Sequence, residues 1–151
     1  MEISYASEND LTEILDLQKL AYQSEAIIYN DFSIAPLIQI LKELQDEAKK
    51  GVILKAVENE RIIGSVRAYE SGGTCFIGKL IVHPDYQNRG IGRMLMREIE
   101  KCYKVDRYEL FTGYLSRKNI SLYEKLGYNG FKTEKVADNL KFVFMERRTL
   151  K

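Results

Sequence analysis

Residues 79–101 read KLIVHPDYQNRGIGRMLMREIEK: an apolar strand end, a polar loop and the start of an amphipathic helix. Gly90 and Gly92 stand at the junction beside Arg89, and Arg93 follows one residue later. The first turn of a helix carries backbone N–H groups with no partner inside the helix, and the macrodipole makes that end partly positive. Glycine removes the Cβ that would hold an anion away from those groups. A phosphate or pyrophosphate suits such a turn. The dinucleotide fingerprint is excluded, because its third glycine would fall where Leu95 stands, and no GxxxxGK[ST] loop occurs. Tight strand–helix packing would also explain a pair of glycines. The apolar strand before them, the helix after them and the flanking arginines point beyond packing.

Outward from this junction, EISYA (2–6) alternates like a short strand. ENDLTEILDLQKLAY (8–22) places Asp10 and Glu13 as N-cap and third helical residue, with Leu11, Ile14, Leu15 and Gln18 on one face. A second helix is predicted from Ala35-Pro36, with Leu37, Ile40, Leu41, Leu44 and Ala48 as its stripe and Lys49-Lys50-Gly51 at its end. VILKAVE and RIIGSVRAY flank Asn59-Glu60 as an antiparallel hairpin, and Ser71-Gly72-Gly73 turns the chain into TCFIGKLIVH. The helix over 90–102 should bury Ile91, Leu95, Ile99 and Cys102 and expose Arg93, Arg97 and Glu100. RYELFT (107–112) reads as a strand and RKNISLYEKLGY (117–128) as a helix stopped by Gly127. Strands near 128–133 and 140–146 end the chain. The expected order is β-α-α-β-β-β-α-β-α-β-β. That is an α/β chain with a mixed, mostly antiparallel sheet flanked by helices, folded as one domain over residues 1–151.

A chain of 151 residues can bury one sizeable core, and 45% hydrophobic with 30% charged residues marks it as globular rather than disordered. Lys and Arg number 23 against 22 for Asp and Glu, so bulk charge recruits neither nucleic acid nor an anionic membrane. Any anion site must be local. Cys75 and Cys102 read as free thiols in apolar patterns, and a single histidine, His83, gives no metal site of usual ligand type. No run approaches the ~18 to 20 apolar residues of a membrane span, and the N-terminus does not resemble a signal peptide. A cytoplasmic protein is expected.

Gln87-Asn88-Arg89-Gly90-Ile91-Gly92 matches Q/R-x-x-G-x-G/A and closely resembles the acyl-CoA motif of the GNAT superfamily of N-acetyltransferases. LIVHPDYQ is similar to the usual lead-in, and NISLYEKLGY (119–128) resembles the second recurrent segment at the usual separation. The element order is also similar, over nearly the whole chain. The resemblance implies that N–H groups of the 89–92 turn cradle the pyrophosphate of acetyl-CoA, with Gln87 and Asn88 at the edge and Arg93 on the first helical turn. It implies that Leu80, Ile81 and Val82 form a strand end that splays from its neighbour, pairs with the pantetheine arm and offers an N–H to the thioester carbonyl. It implies that Asn119 contacts the same arm. Tyr123, four residues on and so on the same helix face, would protonate the departing thiolate. A phenol of pKa about 10 is still a proton donor at neutral pH. From its residue type alone, Tyr123 could equally cap the core through its hydroxyl. His83 reads as a loop residue rather than a base.

The general base departs from the family pattern. TCFIGKLIV holds no carboxylate, and Phe111 stands near where some members carry a glutamate on the next strand. The segment YQSEAIIYNDF (22–32) offers Glu25 first and Asp31 second, and water could also take the proton. Tyr22, Tyr29, Asp31 and Phe32 would line a pocket for the acceptor there, unless the segment is only a helix-to-helix connection. The implied activity is direct acetyl transfer from acetyl-CoA to a primary amine, of a small molecule, in a monomer or homodimer without metal. The rival reading is a non-catalytic acyl-CoA-binding sensor or partner module of the same fold.

Overall fold

Asn59 and Glu60 both take left-handed backbone, with φ of 52° and 65°, forming the tight turn whose twist matches its flanking strands. It joins β2 (Val52–Glu58) to β3 (Arg61–Ser71), and Gly72-Gly73 joins β3 to β4 (Thr74–Val82) in the same way. The computed structural model describes residues 1–149. Its sheet is completed by β1 (Glu2–Tyr5), β5 (Arg107–Gly113), β6 (Asn129–Ala137) and β7 (Leu140–Arg148), in the order β1-β2-β3-β4-β5-β7-β6. All pairs are antiparallel except β4–β5, which a helical crossover joins in parallel. Helix α5 (Ile91–Lys101) is that crossover, and α6 (Arg117–Lys125) follows β5.

Two cores form, one on each face of the sheet. Ile91, Leu95, Met96 and Ile99 of α5 pack with Ile63, Val66, Cys75 and Ile77 on one face. On the other, Leu11, Ile14, Leu15 and Leu17 of α1 (Leu11–Ala21) meet Leu44 of α4 (Leu41–Lys50) and Ile53, Ile62 and Ile81. Between those helices lie α2 (Gln23–Tyr29) and α3 (Ala35–Ile38). The expected mixed α/β sheet is present and the first expected helix forms as α1, but the second is divided into α3 and α4.

Several local expectations are corrected. The capping box lies three residues earlier than Asp10–Glu13. A 3-10 turn over Glu8–Asp10 precedes α1, and the Ser7 N–H donates to Asp10 Oδ2 at 2.8 Å. Glu13 is left to accept the Ile62 N–H at 2.8 Å and so ties α1 to the sheet. Residues 23–29, read as connection, are helical. The second helix breaks at Gln39 and Ile40, whose ψ angles are 137° and 161°. The break starts a new cap, in which Glu43 accepts the Ile40 N–H at 2.9 Å, and it leaves Ile38 and Ile40 exposed. It also turns the Gln39 amide oxygen inward to Gln18 and Arg67. Glu100 is not outward: it accepts the Tyr128 hydroxyl at 2.6 Å and pairs with Arg147 at 3.0 Å. Cys102 is only partly buried. The Cys75 thiol is buried, and desolvation pushes it up to about 12, which leaves it unreactive.

Tyr128 is almost fully buried, and desolvation first, then the Glu100 bond, holds its phenol far above the usual range. Tyr128→Phe keeps the ring and removes only the hydrogen bond to a charged acceptor. It should cost about 1.5–3 kcal/mol in urea unfolding. An unchanged midpoint would deny that bond a structural role.

Among the described residues no helix is long and apolar enough to cross a membrane, and no group of three potential metal ligands gathers.

Candidate active site

Strands β4 and β5 pair only at Thr74–Arg107, Cys75–Tyr108 and Phe76–Glu109. Beyond these, β4 stays with β3 as far as Val82 and β5 stays with β7 as far as Gly113, so the two strands part. The parted edge of β4 presents backbone groups that an extended ligand can pair with. Within β4 the register slips: Ser65 pairs with Ile81 but Arg67 with Gly78, so Val66 faces both Lys79 and Leu80. Lys79 takes a φ of 52° in this bulge.

At the end of β4, the chain passes through a 3-10 turn over Pro84–Tyr86 into the glycine turn. His83 is held by the loop itself, its Nδ1 accepting the Asp85 N–H at 3.1 Å. Asn88 and Gly90 both have left-handed φ, 65° and 80°. Gly90 is the N-cap of α5, and no side chain caps the helix. The Gly90 carbonyl accepts the Met94 N–H at 3.1 Å, which leaves the N–H groups of Ile91, Gly92 and Arg93 at an open helix end. A Cβ on Gly92 would make only ordinary contacts, 3.5 Å from Leu122 and 3.7 Å from Leu80. Packing therefore does not require that glycine. Arg89 turns aside, its guanidinium 5.0 Å over the Tyr86 ring and 3.9 Å from Glu58. Gln87 instead bridges β4 and α6, donating to Val82 O at 3.5 Å and accepting from Lys118 Nζ at 3.3 Å.

The gap between the parted strands opens into a cavity of about 920 Å³. Leu80 and Phe111 line it from the two strands, and Asn119 and Tyr123 from α6. Tyr22, Glu25, Tyr29 and Asp31 close it from above. Phe32 is outside this wall and 57% exposed. The side chains of Ile81 and Val82 also turn away, Ile81 into the α1 core and Val82 against the α5 core.

Glu25 and Tyr123 come together although 98 positions separate them in sequence. Glu25 Oε2 accepts the Ser116 hydroxyl at 2.5 Å, and Tyr29 accepts the Leu115 N–H at 2.9 Å. Gly113, with no side chain, leaves room for the Tyr29 ring against its backbone. Helix α2 is thus stitched to the turn between β5 and α6. No described residue hydrogen-bonds the Tyr123 hydroxyl, which keeps access to the cavity. Burial, then Tyr22 and Glu25 nearby, raise this phenol well above its ordinary pKa and keep it protonated. Asp31 differs: the hydroxyl and N–H of Ser33 bind its Oδ1 at 2.6 and 2.8 Å and hold its carboxyl below the usual range. A carboxylate so stabilised is a poor base.

The far end of the cavity is cationic. Arg67 is 6% exposed and donates from both terminal nitrogens to Gln18 Oε1, at 2.8 and 2.6 Å. It gives a third bond to Gln39 Oε1 at 3.0 Å, and Glu47 lies 3.7 Å away. The Tyr22 phenol lies between the two ends. Burial pushes it up to about 12, with Arg67 drawing it down and Glu25 pushing it up. Glu109 also lines the cavity but is paired with Arg107 at 2.8 Å.

Sequence reading missed Ser116, Arg67 and Lys79. Ser116 carries no signal by itself. The other two do: an arginine inside the apolar run RIIGSVRAY, and a glycine-lysine pair inside TCFIGKLIV, where an interior glycine suggests a bulge.

Comparison with known proteins agrees with this architecture. Residues 49–130 match the family model described as an acetyltransferase (GNAT) domain. The UPF0157 protein YqkA of Bacillus subtilis is 29% identical over 129 residues, covering 85% of this chain and 37% of that one. An uncharacterized N-acetyltransferase, ycf52, of Porphyra purpurea is 30% identical over 51% of this chain and 45% of its own. This chain therefore spans less than half the length of those two relatives. Among solved structures, the ribosomal-protein-S18-alanine N-acetyltransferase of Escherichia coli superposes with a TM-score of 0.78 at 19% identity. It covers 97% of this chain and 92% of that one.

Proposed function

The chain belongs to the GNAT acetyltransferase family, and from that premise we propose that it moves the acetyl group of acetyl-CoA directly to a primary amine of a small molecule. One observation carries the reading: an unpartnered, protonated phenol, Tyr123, faces a cavity beside Glu25 where β4 and β5 part. The uncapped start of α5 supplies N–H groups for the pyrophosphate of the donor, and the free edge of β4 suits its pantetheine arm. A PaiA N-acetyltransferase from Thermoplasma acidophilum, solved in complex with coenzyme A, shares the fold with a TM-score of 0.74 at 20% identity.

The acceptor attacks the thioester carbonyl only as a neutral amine, since an ammonium has no free lone pair. Glu25, oriented by Ser116, takes that proton. Charge develops on the carbonyl oxygen, where a backbone N–H of the β4 edge near Leu80 stabilises it. Tyr123 then protonates the departing sulfur. A roofed acceptor end favours a small molecule over a protein terminus: Asn139, in the β6–β7 turn, donates to the Tyr29 carbonyl at 2.8 Å and ties that turn to α2.

The direct test is release of free thiol from acetyl-CoA with a panel of amines. No turnover with any of them would favour the sensor reading. Within the panel, Glu25→Gln should lower turnover about 10²-fold at neutral pH. The loss should shrink at high pH, where the amine is already neutral. Acetyl-CoA affinity should hardly change. Full turnover by this variant across the pH range would pass the role to water or Asp31.

A further inference from the structure

The bulge in β4 places two consecutive residues on one face. Ile77 packs in the α5 core, Leu80 packs against it and Ile81 lies in the α1 core. Regular alternation from Ile77 would turn Lys79 toward α5. The extra residue keeps it on the cavity side with Gly78, whose missing side chain leaves the space opposite Arg67 open. A strained left-handed backbone at a lysine is thus used to put an ammonium into the acceptor cavity.

No hydrogen bond or close ion pair among the described residues holds that ammonium, and Glu47 acts on it only at longer range. Arg67, the neighbour of Lys79 across the ladder, is held mainly by neutral amide oxygens. Glu47 is the carboxylate that faces both, 3.7 Å from Arg67. Two cations against one anion leave a local excess of positive charge in a chain that is otherwise balanced. Desolvation first, then the like charge of Arg67, pull the Lys79 ammonium below the usual lysine range, and Glu47 offsets this only in part, so an incoming anion would stabilise the charged form. The opposite end of the cavity holds Glu25 and Tyr123.

We infer that the acceptor is a carboxylate-bearing amine, its anionic group held by Lys79 with Arg67 behind it and its amine directed toward Glu25. This deepens the acetyltransferase reading and rests on it. A polyamine would place a second cation against Lys79 and is selected against.

The test uses amines matched to carboxylated analogues: isoamylamine with leucine, phenethylamine with phenylalanine, and butylamine with 4-aminobutanoate. The wild-type protein should favour the carboxylated member of at least one pair by 10-fold or more in kcat/KM, mainly through KM. Lys79→Gln should erase that preference, and Lys79→Arg should restore much of it. Thermal melts and an acetyl-CoA titration on the same preparations verify a folded donor site. Lys79 is the better probe than Arg67, whose removal would strip Gln18 and Gln39 of their buried partner. A wild-type preference for neutral amines or diamines, or a preference that survives Lys79→Gln, overturns this inference and leaves acetyl transfer standing. No turnover of any amine would sink both.

Discussion

Tyr123→Phe should lose about 10²-fold in turnover, the lower end for a general acid. The substitution keeps the ring, which packs 6.2 Å from that of Tyr128. It also breaks no bond within the chain, because no described residue hydrogen-bonds this hydroxyl. A tyrosine that merely capped the core would lose about 1 kcal/mol of stability with its hydrogen bond and keep its activity. Here the reverse is expected: a nearly unchanged melt and a large kinetic defect. The defect should fall on kcat and kcat/KM alike, since the proton reaches sulfur only as the carbon–sulfur bond breaks. The raised phenol pKa fixes the pH behaviour as well. A donor whose pKa is pushed upward stays protonated beyond the ordinary tyrosine range, so acid catalysis should persist into alkaline solution. Wild-type turnover by a folded Tyr123→Phe, with an acceptor for which chemistry limits the rate, would remove the assignment.

The parts of this molecule written in local periodicity were legible in its sequence. The hairpin at Asn59-Glu60, the burial of Ile91, Leu95 and Ile99 on α5 and the succession of strands along the chain all follow from spacing and turn chemistry over short windows. Gly90 and Gly92 were legible for the same reason, since a helix start is a local event. Segment 22–31 could be read as a pocket wall, but the contacts that hold it there could not. Glu25 meets Ser116 across 91 positions and Arg67 meets Gln18 across 49, distances over which no pattern in one sequence speaks. The break at Gln39 shows the same limit. The stripe Leu37, Ile40, Leu41, Leu44 fits one helix, yet polar contacts from Gln39 to Gln18, Arg67 and Glu47 outweigh continuity. Buried polar groups need partners, and the break at Gln39 supplies one to the terminal nitrogens of Arg67, although its Nε stays unpartnered.

Gly92→Glu should weaken acetyl-CoA binding by about 10²-fold or more. A carboxylate at this first helical turn would oppose the pyrophosphate proposed to bind there. Two unit charges about 5 Å apart at an effective dielectric of about 20 repel by about 3 kcal/mol. Some of this is screened by salt, so the penalty should shrink as ionic strength rises. Shape can be separated from charge at this position. Gly92→Ala adds a Cβ that makes only ordinary contacts with Leu122, Leu80 and Val82, at 3.5, 3.7 and 3.9 Å, and should change affinity little. Gly90 is a poorer site for the experiment, because its φ of 80° strains any side chain and would mix folding with binding. Calorimetric titration of wild-type, Gly92→Ala and Gly92→Glu at two salt concentrations distinguishes the cases. Equal losses in both variants would mean that the glycine serves close approach rather than charge. Unchanged affinity in Gly92→Glu would move the pyrophosphate away from this turn altogether.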